Sequence, residues 1–426
     1  MHHLTLMQKH LILGLYLNRL RITILTAMFL VGCSDDVPKS QHVEAVKKTI
    51  PASTFELLNP ELSNSAKEIA LDYVSQISSD LNQAGIEIGN FQSSIRIFID
   101  DTSNENLDNS RQAWLNAHNA YELTALHRYF MSQFLEEQSS LTLLQLQYQI
   151  NHWPIVPGYI DYVGGYPDSG IVHDINVNLD GDTLREQHGA FDVSEVTLGF
   201  HVIEFLLWGY DTDSGTRPAV DYDAVLELSS EELASGYSLE QLSNNRRRIF
   251  LNVVADTLAE NFQELQSFWL TESPNIRQRL EAASGTELIT IVADSMSAML
   301  NEEFLLRSLY PMLNGDFVES VQSPYSRSTQ HAVSSQLSGL ERLLLERRAE
   351  NGTTLDLVFS AISDEFSEFF YQNFDASKSC LVLLYSNSED DTVGPSNEIE
   401  AEIVKCINLL TNMIDYNDRL KFDLMN

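Results

Sequence analysis

Residues 199–209 read G-F-H-V-I-E-F-L-L-W-G and place two polar side chains, His201 and Glu204, in an otherwise apolar segment. No proline interrupts the segment, and Gly209 is a typical residue to follow the C-terminus of a helix. At about 100° per residue, His201 and Glu204 lie on one face of this helix. Because apolar residues cover its other faces, we predict that the helix is buried.

The start of this helix is predicted from Asp192 and Glu195, which have the spacing of a capping box. The helix would then cover about residues 194–208 and would hold Gly199 in its interior. A glycine inside a helix costs about 1 kcal/mol relative to alanine. We therefore expect a neighbouring helix to approach closely at Gly199.

The pair His201 and Glu204 needs a partner or a ligand, because a buried carboxylate is costly unless it is paired, hydrogen-bonded or bound to a metal. An imidazole and a carboxylate one turn apart can chelate a divalent cation such as iron or zinc. The alternative is a core pair in which His201 donates a hydrogen bond to Glu204. The pair alone leaves both interpretations open.

A zinc site needs at least three protein ligands, so further ligands must come from elsewhere in the chain. His118 and Glu122 lie one turn apart on a helix predicted to begin near residue 108. They are the best second pair, because four-helix bundles build metal sites from facing helices. The alternative for Glu122 is a solvated position on the surface.

The spacing Gly-x-His-x-x-Glu, present as Gly199, His201 and Glu204, resembles the hallmark of the imelysin family of bacterial periplasmic and surface proteins. The resemblance covers about residues 60–425. Further segments resemble blocks of that family: 111–121, 152–162, 215–222, 246–251 and 323–329.

The resemblance implies a fold of two four-helix bundles packed side by side. It also implies a metal site, because the family includes insulin-cleaving metallopeptidases and iron-regulated protein A. Trp208, Arg217 and Asp221 match the part of the family pattern that ends and follows the hallmark helix.

At three positions the sequence departs from the family pattern. Ala125 stands where many members have a second acidic residue, His118 stands where an arginine is common, and Ala332 lies near the place of an expected aspartate. These departures keep open an interpretation in which the site is vestigial.

The N-terminal segment has the pattern of a bacterial lipoprotein signal. Basic residues precede an apolar run over 22–30, and the sequence L-V-G-C ends at Cys33. We predict a signal peptide over 1–32, lipidation of Cys33 and a polar tether over 33–60. Serine rather than aspartate after the cysteine favours the outer membrane of a bacterial cell envelope, facing the periplasm or the surface. The alternative, an uncleaved anchor, is disfavoured because the apolar run is short for a membrane span.

Apolar residues recur at helical spacing through most of the chain, which predicts an all-α fold. The predicted helices cover 66–84, 108–134, 194–208, 242–270, 286–313, 328–346, 355–374 and 398–424. Ile95–Ile99 is a candidate for a short strand. The irregular segment 209–226 predicts a boundary between an N-terminal bundle over 61–225, which carries the hallmark helix, and a C-terminal bundle over 226–426.

Two cysteines remain besides Cys33. Cys380 and Cys406 lie in predicted helical stretches on either side of a polar loop over 386–397. An antiparallel helix pair could bring them together as a disulfide, and two buried free thiols are the alternative.

The composition limits the partners of this chain. Its 61 acidic residues against 26 basic ones give a net charge of −35. Such a chain is repelled by polyphosphate, so nucleic acid is not an expected partner. The expected partners are a metal ion and, through a lipid on Cys33, a membrane; an envelope protein is a further candidate.

Three functions remain open at this stage. The first is binding of a divalent metal, iron before others, in iron uptake or homeostasis. The second is a metallopeptidase with Glu204 as the catalytic base. Against it, the sequence contains no His-Glu-x-x-His, and Phe205 stands where His-x-x-Glu-His needs its second histidine. The third is a non-enzymatic interaction lipoprotein with a vestigial site.

Overall fold

The computed structural model describes residues 59–210, 216–346, 349–388 and 397–425. Within these ranges the regular structure is helical and no strand occurs, which confirms the predicted all-α fold. None of the helices in these ranges has the length and apolar character needed to cross a membrane. The predicted signal peptide, Cys33 and all but the last two residues of the predicted tether lie outside the described residues.

The helices of the first half include three long ones and several short ones. They are α1 (Pro60–Asp100), α2 (Asn104–Glu122), α3 (Ala125–Ser132), α4 (Glu137–Asn151), α5 (Pro157–Ile160), α6 (Gly181–Gln187) and α7 (Phe200–Trp208). The hallmark helix is α7. The sequence did not predict α4, and the single helix predicted over 108–134 is divided into α2 and α3.

The helices of the second half are longer on average. They are α8 (Ser230–Ala234), α9 (Ser243–Ala282), α10 (Gly285–Met299), α11 (Tyr310–Leu313), α12 (Thr329–Leu345), α13 (Leu355–Ile362), α14 (Asp364–Ser388) and α15 (Asn397–Met425). A π-helical stretch, Leu300–Leu309, joins α10 to α11, and short 3-10 turns cover Ala219–Tyr222, Leu239–Gln241 and Val318–Ser320.

The long helix α1 shows why the predicted strand at Ile95–Ile99 was wrong. Its last two turns bury Ile95 and Phe98 at helical spacing, whereas Ile97 points outward and is 58% exposed. The alternating apolar letters suggested a period of two, but the burial of α1 follows the period of a helix throughout. At its other end, Asn59 caps α1 by accepting a hydrogen bond from the Leu62 amide.

Several helices pack around α1. Helices α2 and α9 pack along it, and α10 also contacts it. Because α9 belongs to the second half of the chain, the long helices of both halves meet across residue 225, and the predicted boundary there stays a prediction.

Further along the chain, α14 and α15 pair, and a disulfide joins Cys380 to Cys406 between them. This excludes the alternative of two free thiols.

The irregular segments between α4 and α9 are held by arginines of α9. The Arg246 guanidinium donates to four backbone carbonyls, those of Ile171, Val172, Asp174 and Val177. The next residue, Arg247, donates to both carboxylate oxygens of the buried Asp161. These contacts fix the loops that lead into and out of α7.

Candidate metal centre

Helix α7 begins later than its sequence predicts. It starts at Phe200, and Gly199 is its N-cap residue, with a left-handed φ of 97°. The residues predicted as its first turns form a loop, in which the Asp192 carboxylate accepts from the amide and hydroxyl of Ser194. The close neighbour expected at Gly199 is confirmed. A Cβ there would lie 2.7 Å from the carbonyl oxygen of Ile150 on α4.

His201 and Glu204 are both fully buried and touch each other. The Nδ1 atom of His201 lies 2.9 Å from a carboxylate oxygen of Glu204. Burial, with the nearby His118, holds the pKa of His201 well below its usual value, which favours the neutral ring. The hydrogen bond predicted by the core-pair interpretation is therefore present. The other ring nitrogen, Nε2, is buried and has no hydrogen-bond partner.

The second oxygen of Glu204 is held by the segment that precedes α12. It accepts from the backbone amide of Ser326 at 2.8 Å and from the Ser326 hydroxyl at 2.7 Å. The next residue, Arg327, has a positive φ of 54°, which is uncommon for a residue other than glycine. Burial raises the pKa of Glu204 to about 7, although the Ser326 hydrogen bonds oppose the shift.

His118 and Glu122 lie on α2 and are as deeply buried as the first pair. The alternative of a solvated Glu122 is therefore wrong. The Nε2 atom of His118 lies 3.3 Å from the Glu122 carboxylate, and the same carboxylate accepts hydrogen bonds from three side-chain amides, those of Asn151, Gln322 and Gln336. Burial favours the neutral acid, but His118 and Arg128 outweigh it and lower the pKa of Glu122 well below its usual range.

The fold brings the two predicted pairs together. The rings of His118 and His201 are 5.2 Å apart between centroids and nearly perpendicular. Trp114 stacks on His118 at 4.7 Å and places its edge toward Trp208 at the end of α7. Aromatic side chains therefore pack against the imidazoles of this site.

Arg217 and Asp221 lie outside this group of four and hold the C-terminal end of α7. The backbone amide of Arg217 donates to the carbonyl of Trp208 at 2.7 Å, and its guanidinium donates to Asp161 at 2.6 Å. Asp221 accepts from Tyr162 at 2.5 Å. These contacts fix the segment that follows α7.

Several residues of the site were not predicted from the sequence. Ser326 lies in the 323–329 segment that resembles a family block, so this block carried a usable signal. No sequence signal pointed to the side-chain amides of Asn151, Gln322 and Gln336, because these residues do not form a spaced motif. At the departures from the family pattern, Ala125 and Ala332 are both buried and apolar.

The donor atoms fit a divalent cation in one respect and need rearrangement in another. The Nε2 atom of His201 has no hydrogen-bond partner and carries a lone pair when Nδ1–H donates to Glu204, and a carboxylate on the opposite nitrogen is the usual support of a metal-binding histidine. Among the described residues, however, the three-residue sets with ligand atoms within 4.8 Å of one another do not include this group. Three or more of these side chains would therefore have to move closer together to share one cation.

Comparisons with known proteins agree with this fold. Residues 77–410 match the sequence model of the imelysin family. A solved structure described as an iron-regulated protein A precursor from Parabacteroides distasonis is similar, with 13% identity, a TM-score of 0.59 and coverage of 85% of this chain and 95% of that chain. An imelysin-like protein from Psychrobacter arcticum matches with 13% identity, a TM-score of 0.51 and coverage of 82% and 93%. No curated protein matches the chain.

Proposed function

This chain belongs to the imelysin family, and on that basis we propose that it is a cell-envelope protein that binds a divalent metal ion at His201. The observation that supports the proposal most strongly is the buried, unpartnered Nε2 of that residue. Leaving a buried polar atom without a partner costs about 1–3 kcal/mol, so such an atom needs an explanation. A metal ion bound through the lone pair of Nε2 would be such an explanation.

The four residues have different roles in this proposal. His201 is a ligand through Nε2, and Glu204 supports it by accepting the hydrogen of Nδ1. Glu122 supplies an oxygen ligand of opposite charge, and the His118 ring, with its centroid 5.2 Å from that of His201, offers a second imidazole. When bound, the cation would supply positive charge that offsets the cost of burying the carboxylates. The sequence predicted that Glu204 is a direct ligand of the metal. In this proposal it instead positions His201.

Iron is the metal that we expect first. Imidazole and carboxylate ligands suit Fe²⁺, Mn²⁺ and Zn²⁺ alike, so the ligand types alone do not select one. The name of the solved relative, iron-regulated protein A, gives iron priority. The proposed role is iron uptake or homeostasis.

The proposed location is the outer membrane of a bacterial envelope, with the protein held by a lipid on Cys33. The sequence pattern before Cys33 supports this location. A chain with a net charge of −35 attracts cations toward its surface, which suits a protein that captures them.

A peptidase is the second candidate, and one observation favours it. A carboxyl group with a pKa of about 7 is well suited to act as a general base near neutral pH, and Glu204 is such a group. Its burial opposes the idea, because a peptide could reach Glu204 only after the surrounding helices opened. Chelator-sensitive cleavage of an unfolded polypeptide, lost in Glu204→Gln, would identify this function. Absence of metal binding and of cleavage would leave the interaction-protein alternative.

The test is the metal content and affinity of the purified chain, measured by elemental analysis and by calorimetry with Fe²⁺ without oxygen and with Zn²⁺. We expect His201→Ala to abolish specific binding and Glu204→Gln to weaken it about 10- to 100-fold, the usual effect of removing the support of a ligand. The exposed His331→Ala is the control and should bind as the unchanged protein does. Equal affinity of His201→Ala and the unchanged protein would refute the proposal.

A further inference from the structure

A second cluster of metal-capable atoms lies between α14 and α15, apart from the site described above. It consists of Cys380 on α14 with Cys406 and Glu402 on α15. Their ligand atoms all lie within 4.8 Å of one another. The Cys380 sulfur is 3.4 Å from a carboxylate oxygen of Glu402.

The positions on α15 favour chelation. Glu402 and Cys406 are four residues apart, so their side chains project from the same face of the helix, and Cys380 faces them from the partner helix. Both cysteines are buried, and Glu402 is half-buried with its side chain 26% exposed. The carboxylate therefore lies at the edge of the helix pair, where an ion from solvent could reach it.

In the structure the two sulfurs are joined to each other as a disulfide and are not available as thiolates. A dithiol reductant would break this S–S bond by transferring two electrons and two protons, and the reductant would itself become a disulfide. The products are two thiols beside one carboxylate. Metal binding would then release the two thiol protons, because the thiolate is the ligand form of cysteine.

We propose that reduction of the Cys380–Cys406 bond creates a binding site for a thiophilic divalent ion such as Zn²⁺, with the two thiolates and the Glu402 carboxylate as its protein ligands. Three protein ligands leave the fourth position of a tetrahedral ion to water. The site is independent of the one proposed at His201.

One neighbouring charge tunes the site. The Lys405 ammonium lies 2.8 Å from the Glu402 carboxylate oxygen and is largely exposed. It occupies the oxygen that a metal would need, so metal and lysine compete for it. Removing this ammonium should strengthen metal binding, whereas removing the carboxylate should weaken it.

The experiment compares the full-length protein before and after reduction by a phosphine, with thiol titration to confirm that reduction frees two thiols per chain in addition to any from Cys33. Zn²⁺ stoichiometry is measured in both states, so that any ion at the His201 site cancels in the difference. We expect one additional Zn²⁺ per chain after reduction, and with Co²⁺ a thiolate-to-metal charge-transfer absorption. Circular dichroism follows the helical content in parallel.

Three variants assign the ligands. Cys406→Ser should lose the additional ion, Glu402→Gln should bind it about tenfold or more weakly, and Lys405→Met should bind it more tightly. The Glu402 and Lys405 variants keep the disulfide and serve as folded controls for each other. The proposal fails if reduction adds no ion, if Cys406→Ser still gains one, or if the reduced protein loses its helical content.

Discussion

Glu204 is the residue whose titration should be visible in the stability of the protein. Its carboxyl has a pKa of about 7 in the folded protein, against an ordinary value of 4.5. Between these two values the folded protein holds a proton that the unfolded chain has lost. The resulting stabilisation is complete below pH 4.5 and disappears as the pH rises through about 7, with a total of about 3 kcal/mol.

The variant Glu204→Gln removes this titration but keeps an oxygen that can accept from His201. We expect the advantage of the unchanged protein over this variant to shrink by about 3 kcal/mol from about pH 4 to about pH 8. Urea unfolding at a series of pH values measures the difference. Glu264→Gln, at an exposed position on α9, should show no comparable trend. A pH-independent difference for Glu204→Gln would contradict the argument.

At this scale the sequence predicted the four residues that the fold brings together, because each pair has a turn of helix between its members. The sequence did not predict that the two pairs would differ in their hydrogen-bond partners. The Nε2 atom of His201 has no hydrogen-bond partner, whereas Glu122 accepts from the amides of Gln322 and Gln336, which lie 200 and 214 residues away along the chain. Contacts at such separations depend on the packing of whole helices and leave no local pattern.

The contact between α7 and α4 depends on one glycine. We expect Gly199→Ala to destabilise the protein by roughly 2 kcal/mol or more, because φ of 97° is strained for alanine and its Cβ would lie 2.7 Å from the Ile150 carbonyl oxygen. Urea unfolding measures the loss. Gly236→Ala is the matched control, since that glycine also has a positive φ, of 78°, but open space around it. It should cost only the strain, about 1 kcal/mol, and equal losses in both variants would rule out the close approach.

The same helix shows which parts of an element can be predicted. Its C-terminus at Trp208 followed directly from Gly209, because a helix stop depends on local backbone freedom. Its N-terminus was placed too early, because Asp192 and Glu195 have capping-box letters but the Asp192 carboxylate binds Ser194 in a loop instead. The packing of Gly199 against α4 decides where the helix starts, and that contact joins distant parts of the sequence.

For the molecule as a whole, the buried Asp161 joins the irregular segments to α9. Its carboxylate accepts from Arg217 at 2.6 Å and from Arg247 at 2.5 Å and 3.0 Å. Asp161→Asn would leave the buried guanidinium of Arg247 without its ion-pair partner and Arg217 with only the Asp221 carboxylate at 3.6 Å, and we expect a loss of about 3–5 kcal/mol in the free energy of unfolding. The control is Glu260→Gln, which removes a surface ion pair with Arg185. It should change the free energy of unfolding by no more than about 1 kcal/mol. Similar losses in both variants would refute this assignment.

The bonds around Glu122 and Glu204 have a consequence for the order in which the protein is made. Synthesis proceeds from the N-terminus, so His118, Glu122, His201 and Glu204 all emerge before Ser326 and Gln336, which hold the two carboxylates in place. A nascent chain that has not reached residue 322 carries all four side chains and Asn151, but it lacks Gln322, Ser326 and Gln336, which complete the hydrogen bonds of the two carboxylates. The site is therefore completed late in synthesis. A chain truncated before this segment would contain the hallmark sequence but not the hydrogen bonds that hold its side chains in place.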